Sequence, residues 1–264
     1  MVLVDAHAHP ISFVRSISSK PTVIPADAPR GGVTSPGGSM SEYAKAHSEG
    51  RREVGALLRG LDDAQLKVMT RGCPDWDVRS LVGHLVGVAA DMTTGNFPTG
   101  DVQEWIQAAV DARSDLPLEG LLDEWEEIGP GIDTWVTNMP PMMSDLLIGD
   151  LVTHEQDIRG ALGLPGGREG ITYDLALEGY LHSLGGRIGG AGLPALRVVH
   201  DGTERVLGDG EVGATVTAST FEILRSIGGR RTAVQIAALA WDGDPAPYAA
   251  IFSNYGYPTE PIVE

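Results

Sequence analysis

The chain has 264 residues, with 36 acidic against 19 basic side chains, a net charge of −17, and 42% hydrophobic against 21% charged residues. This composition is globular, no apolar run approaches the roughly 20 residues of a bilayer span, and the negative charge repels phosphate backbones and anionic headgroups, which excludes nucleic acid and membrane as leading partners. The single cysteine, Cys73, excludes an internal disulfide and a multi-cysteine metal cluster, and without a basic then apolar leader the expected compartment is the cytoplasm.

In chain order, residues 1–40 read as a disordered or loosely packed extension, because positions 21–39 hold four Pro and four Gly, too many breakers for a packed element. Ahead of them, VLVDAHAHP resembles the first-strand signature of the amidohydrolases, in which two histidines, here His7 and His9, meet a metal. That fold needs eight strand and helix repeats, and the helical pattern that follows does not supply them. From Met40 the sequence SEYAKAHSEGRREVGALLRGL opens a helix with Ser41 in the cap position. Apolar periodicity predicts helices near 42–59, 78–93, 101–113, 118–137, 142–162 and 173–186, the fifth stopped by Gly163, Pro165, Gly166 and Gly167. Helices joined in this way bury their stripes in a four-helix bundle over 41–190. Beyond AGLP the texture changes. LRVVHDG, ERVLGDG and ATVTAST alternate with Asp-Gly turns and predict short antiparallel strands, STFEILRSIGG predicts a helix, and AVQIAALAWDGD is apolar enough to be core in either state. The fold class is therefore α+β, a helical bundle followed by a smaller α+β domain over 191–264.

The chemistry-bearing run is DLLIGDLVTHEQDIRGALG on the fifth helix. At 100° per residue Leu147, Leu151, Ile158 and Leu162 make one stripe, with His154 inside it and Asp150 and Asp157 along its edge. Asp150 and His154 lie one turn apart, so a carboxylate oxygen and an imidazole nitrogen reach one ion. On the second helix the stripe Val78, Leu81, Leu85, Val88 and Met92 is flanked by His84, and facing helices bring His84, Asp150 and His154 around one metal. A hydrogen-bonded core histidine is the competing reading of either His. An inward Asp needs a compensating cation or tight hydrogen bonds; Arg159 is a candidate partner for Asp157, although its wheel position points away. Cys73 in GCPDW has no neighbouring His or Lys and reads as a structural loop residue, and Trp76 as a core plug at the helix start.

CPDWDVRSLVGHL and, about 65 residues later, DLVTHEQDIRGALG together resemble the mycothiol-dependent maleylpyruvate isomerase family of actinobacteria, related to DinB-like metal-binding bundles. The resemblance runs from about 41 to the C-terminus and implies a DinB-like four-helix bundle with a sterol-carrier-protein-like domain behind it. It implies a divalent ion, usually zinc, on His84, Asp150 and His154, with Asp157 matching the family's following Asp. The isomerases carry Glu where this chain has Asp150, a shorter arm that leaves Asp157 open as the acid ligand. It further implies Arg230, next to Arg231, as the catalytic Arg that holds a substrate carboxylate; a surface Arg pair closing a helix is the plain alternative. The implied activity is a metal-dependent, mycothiol-using enzyme, a cis/trans isomerase or a thiol S-transferase acting on a small electrophilic or unsaturated acid. A noncatalytic metal-containing module that binds a small ligand or a protein is the alternative, and a fourth protein ligand such as Asp157 or Asp91 closing the site would favour it.

Overall fold

A computed structural model describes residues 40–264. His7, His9 and the breaker-rich segment lie outside the described residues. Helix α1 spans Met40–Arg59, so Ser41 falls inside its first turn and not at the cap. A short α2, Asp63–Leu66, is closed by an Asp62 and Gln65 capping box. Next come α3, Val78–Thr94, capped by Asp77, and α4, Val102–Asp111, capped by Asp101. Helix α5 covers Leu118–Asn138, and after two residues Pro141 starts α6, Pro141–Leu162. Gly163 stops α6 in the left-handed region at φ 64°, the backbone state that glycine adopts without strain. Helix α7 is Ile171–Gly190.

Helices α1, α5, α3 and α6 neighbour one another in a ring, the four-helix bundle read from the sequence, with α4 against α3 and α7 against α1 and α6. The stripe residues Val78, Leu81, Leu85 and Val88 of α3 and Leu147, Leu151 and Ile158 of α6 are buried. Met92 and Leu162, at the ends of those stripes, are only partly so. Helix α6 is buried on every side over 151–158, which is why polar residues at those positions must find partners.

The remainder holds β1 (Ala195–His200), β2 (Thr203–Leu207), β3 (Val212–Ala218), α8 (Thr220–Ile227), α9 (Ala233–Ala237), β4 (Ala240–Asp242) and α10 (Ala246–Ala249). Ser219 caps α8 by accepting from the Glu222 N–H. The sheet order is β2-β1-β3-β4. β1–β2 is the expected antiparallel hairpin, its two-residue turn taking positive φ at Asp201 and Gly202. The expectation fails between β1 and β3, which run parallel. Leu207 and Val212 both lie beside the start of β1, so the second Asp-Gly segment crosses that strand's end in four residues and does not turn a hairpin. The run AVQIAALAWDGD is split between α9 and β4, with Ile236 buried and Val234 exposed. Helix α7 packs on α8, β1 and β2, and the buried apolar residues of the bundle and of 195–264 form one cluster. No helix among the described residues is long and apolar enough to cross a membrane.

Candidate metal centre

At the seam between α3 and α6 the structure brings together the three side chains singled out in the sequence. Asp150 divides its two oxygens between the histidines: Oδ2 lies 3.3 Å from His84 Nε2 and Oδ1 3.2 Å from His154 Nε2. The shorter aspartate arm therefore reaches both rings. The imidazoles meet edge to face at 4.9 Å. Side-chain exposure is 5% for His84, 8% for His154 and 31% for Asp150, so the site opens to solvent on the aspartate side.

Among the described residues, His84 Nδ1 has no hydrogen-bond partner, and Nε2 has only its 3.3 Å approach to Asp150 Oδ2, which is not aligned as a hydrogen bond. A buried imidazole nitrogen without a well-directed partner is costly, and a cation between the three groups would satisfy Nε2. Burial pushes the His84 pKa down against the pull of Asp150, leaving the ring neutral, the form that ligates. For Asp150 burial pushes upward, but His154 and His84 hold the carboxyl well below the usual range. His154 is pushed well above the usual value because Asp150, with contributions from Cys73 and Asp157, outweighs burial. His154 is thereby held as the protonated ring, and an ion at Nε2 would have to displace that proton. Nitrogen, oxygen and nitrogen donors around one point fit a divalent-ion site.

A second group, Cys73, His154 and Asp157, also lies close together. It does not suit a cation, because Asp157 already faces two guanidiniums. Arg225 Nη2 donates to its Oδ1 at 2.6 Å, Arg230 Nη2 donates to Oδ2 at 2.6 Å, and Arg230 Nε donates to Oδ1 at 3.1 Å. Against the upward push of burial, Arg230 and Arg225 hold Asp157 well below the ordinary carboxylate range. Asp157 Oδ2 is also 3.0 Å from His154 Nδ1, so it fixes the ring from the side opposite Nε2. It therefore lies on the Nδ1 side of His154, away from the point that Nε2 and Asp150 face. Asp91 stands seven residues, about two helical turns, from His84 along α3.

Arg159 pairs with Glu155 at 2.8 Å, in keeping with its wheel position. Arg230 and Arg231 are buried, which excludes the surface Arg pair. Arg225, fully buried, had not been singled out in the sequence; the signal was an inward Asp157 with no cation on its own helix. Cys73 lies in the loop before α3, where Arg230 Nη2 donates to its sulfur at 3.4 Å. Gly72 permits this approach, since a Cβ there would stand 2.4 Å from Asp157 Oδ1. Trp76 covers His84 with ring centroids 5.1 Å apart and donates to Gln107 at 3.1 Å. Below the ligands, the Tyr180 hydroxyl bonds Thr153 Oγ1 at 2.7 Å and the Gly149 carbonyl at 3.1 Å. The absent side chain of Gly149 makes room for the ring.

His84, Asp150, His154 and Asp157 all fall in one family-model match. Residues 47–159 match the mycothiol maleylpyruvate isomerase N-terminal domain. The resemblance read from CPDWDVRSLVGHL and DLVTHEQDIRGALG is thereby supported. The structure is also similar to a solved mycothiol-dependent maleylpyruvate isomerase, with TM-score 0.51, 15% identity, and 72% of this chain and 89% of that chain covered. A histidine-to-alanine mutant of a mycothiol-dependent maleylpyruvate isomerase matches at TM-score 0.50 and 14% identity with the same coverage. At these identities the two structures establish the shared α+β fold. No curated protein matches.

Proposed function

We propose that the chain is a zinc- and mycothiol-dependent enzyme of the maleylpyruvate-isomerase kind, a cis/trans isomerase or thiol S-transferase, working in the cytoplasm on a small unsaturated or electrophilic acid. One observation carries this reading: His84, buried and with no well-aligned hydrogen bond among the described residues, faces Asp150 and His154 across the α3–α6 seam inside the isomerase-type N-terminal domain. His84, Asp150 and His154 would hold the ion, which supplies acidification of a thiol so that a thiolate is available at neutral pH.

The chain's own residues provide the rest. Asp157 holds His154 Nδ1, so that Nε2 is turned toward the shared point. Arg230 gives Nε and Nη2 to Asp157, Nη2 also to Cys73, and one Nη1 N–H to the Gly228 carbonyl at 2.8 Å. Of its five donors, the second N–H of Nη1 is the one it offers a substrate carboxylate. When sulfur adds to a double bond conjugated to a carbonyl, negative charge moves onto the carbonyl oxygen, and a fixed guanidinium beside it lowers the barrier. The former double bond then rotates as a single bond, and loss of the sulfur gives the trans acid. A transferase would retain the new carbon–sulfur bond.

The partial exposure of Asp150 beside two buried histidines favours this reading over the noncatalytic module. His84→Ala and His154→Ala should each lose stoichiometric zinc by elemental analysis, because two remaining ligands rarely hold zinc at useful affinity. The wild type with one equivalent of zinc should convert a cis unsaturated keto acid only when mycothiol is added. Retention of a full equivalent of zinc by either variant would move the site. Zinc binding without thiol-dependent turnover, tested with unsaturated acids and electrophiles, would favour the binding module.

A further inference from the structure

The bonds that hold Asp157 continue beyond the candidate centre into the segment after α10. Arg225 on α8 is wholly buried, and its guanidinium is shared three ways: Nη1 donates to the Thr153 carbonyl at 3.0 Å, Nη2 to Asp157, and Nε to Glu264 at 2.8 Å. Nη2 bonds the second oxygen of Glu264 as well. Glu264 in turn lies 3.2 Å from Arg231 Nη1, and Arg231 makes two bonds of 2.8 Å to Glu222. The segment carrying Glu264 is fastened by Gln235 donating to the Ile262 carbonyl at 2.8 Å and Arg71 donating to the Val263 carbonyl at 3.1 Å. Three arginines, Arg225, Arg230 and Arg231, thus meet three carboxylates, Asp157, Glu222 and Glu264, in one network.

We infer that Glu264 is a positioning residue for the metal centre, acting through Arg225 and Asp157 on His154. The inference rests on the zinc reading above. With Glu264 ionised, the Arg225 charge is divided between two carboxylates, and Asp157 keeps enough electron density to accept strongly from His154 Nδ1–H. A strong acceptor at Nδ1 makes Nε2 a better ligand. With Glu264 neutral, Arg225 draws on Asp157 alone, the cluster gains one positive charge beside the ion, and two Arg225 donors lose a charged acceptor. Each change weakens metal binding.

Zinc affinity of the full chain, titrated against a competing chelator, reads the effect. Glu264→Gln should weaken zinc binding about tenfold, the scale of partners that support metal ligands, and Glu264→Asp, with the charge kept on a shorter arm, about threefold. Glu222→Gln removes one charge from the same cluster without touching Arg225 and should change affinity less than Glu264→Gln. The visible absorption of the cobalt-substituted protein should shift in Glu264→Gln, a signature that a purely structural loss of stability would not produce. Zinc affinity within twofold of wild type and an unshifted cobalt spectrum would overturn the inference whatever happens to the melting temperature. An effect of Glu222→Gln equal to that of Glu264→Gln would also overturn it. If Glu264→Gln does not fold, Glu264→Asp decides alone, and unchanged affinity there rejects the relay. A wild type that binds no zinc brings down the metal reading itself, whereas tight wild-type binding matched by the Glu264 variants brings down only the relay.

Discussion

Asp150 and Asp157 are the two carboxylates beside His154, and they face different atoms. The Asp150 oxygens stand 3.3 and 3.2 Å from the two histidine Nε2 atoms, while Asp157 faces Nδ1 and two guanidiniums. Asp150→Asn keeps the size but removes the anionic donor, and zinc affinity should fall about tenfold or more, with Asp150→Glu retaining binding. Chelator competition on the wild type, both Asp150 variants and Asp157→Asn checks this, and full affinity in Asp150→Asn alongside loss in Asp157→Asn would transfer the ligand role to Asp157. His84, Asp150 and His154 were legible in the sequence because each lies on or beside an apolar stripe whose direction the helical period fixes. Arg225 was not. It is 68 residues from Asp157 and sits on an eight-residue helix, and no local pattern reports a contact made by tertiary packing.

Long helices with strong periodicity were read to within a few residues, as the start of α3 at Val78 and the Gly163 stop show. The four-residue α2 carries too few residues for a periodic signal, and the parallel β1–β3 pairing is a non-local choice that alternation alone does not encode. Packing between α1 and α5 leads to a pH dependence. His47 of α1 is buried, 3.5 Å from Asp133 of α5, and burial pushes its pKa below the usual 6.5 despite the pull of Asp133. The unfolded chain therefore binds the proton more readily than the fold does. Stability from this group is complete above about pH 6.5 and is lost as pH falls below it, at up to about 1.4 kcal/mol per pH unit. His47→Gln should flatten the slope of unfolding free energy between pH 7 and 5.5, measured by urea denaturation of both proteins without added metal. An identical slope would show that His47 titrates in the fold as it does unfolded.

For the whole molecule, the apolar side chains of the bundle and of 195–264 form one buried cluster, and the Asp157 ion pairs cross from α6 to Arg225 and Arg230 within it. Burying three charges is costly in itself, so these pairs add little net stability compared with an apolar replacement; removing one partner is another matter, because the others remain buried without a counter-charge. Asp157→Asn leaves Arg225 with Glu264 and Arg230 with no carboxylate, and should destabilise the protein by about 3–5 kcal/mol. The loss falls on the contact between the bundle and the later segment, so the two should no longer unfold together. Trp241 reports on the later segment, and Trp76, Trp105, Trp125 and Trp135 on the bundle. The wild type should give coincident transitions by helical circular dichroism and by the fluorescence of a variant retaining Trp241 alone. In Asp157→Asn the Trp241 signal should move to lower denaturant than the helical signal. Coincident transitions in Asp157→Asn would mean that the apolar contacts of α7 with α8, β1 and β2 suffice to couple the two parts, and that the buried ion pairs serve the site and not the cooperativity of the fold.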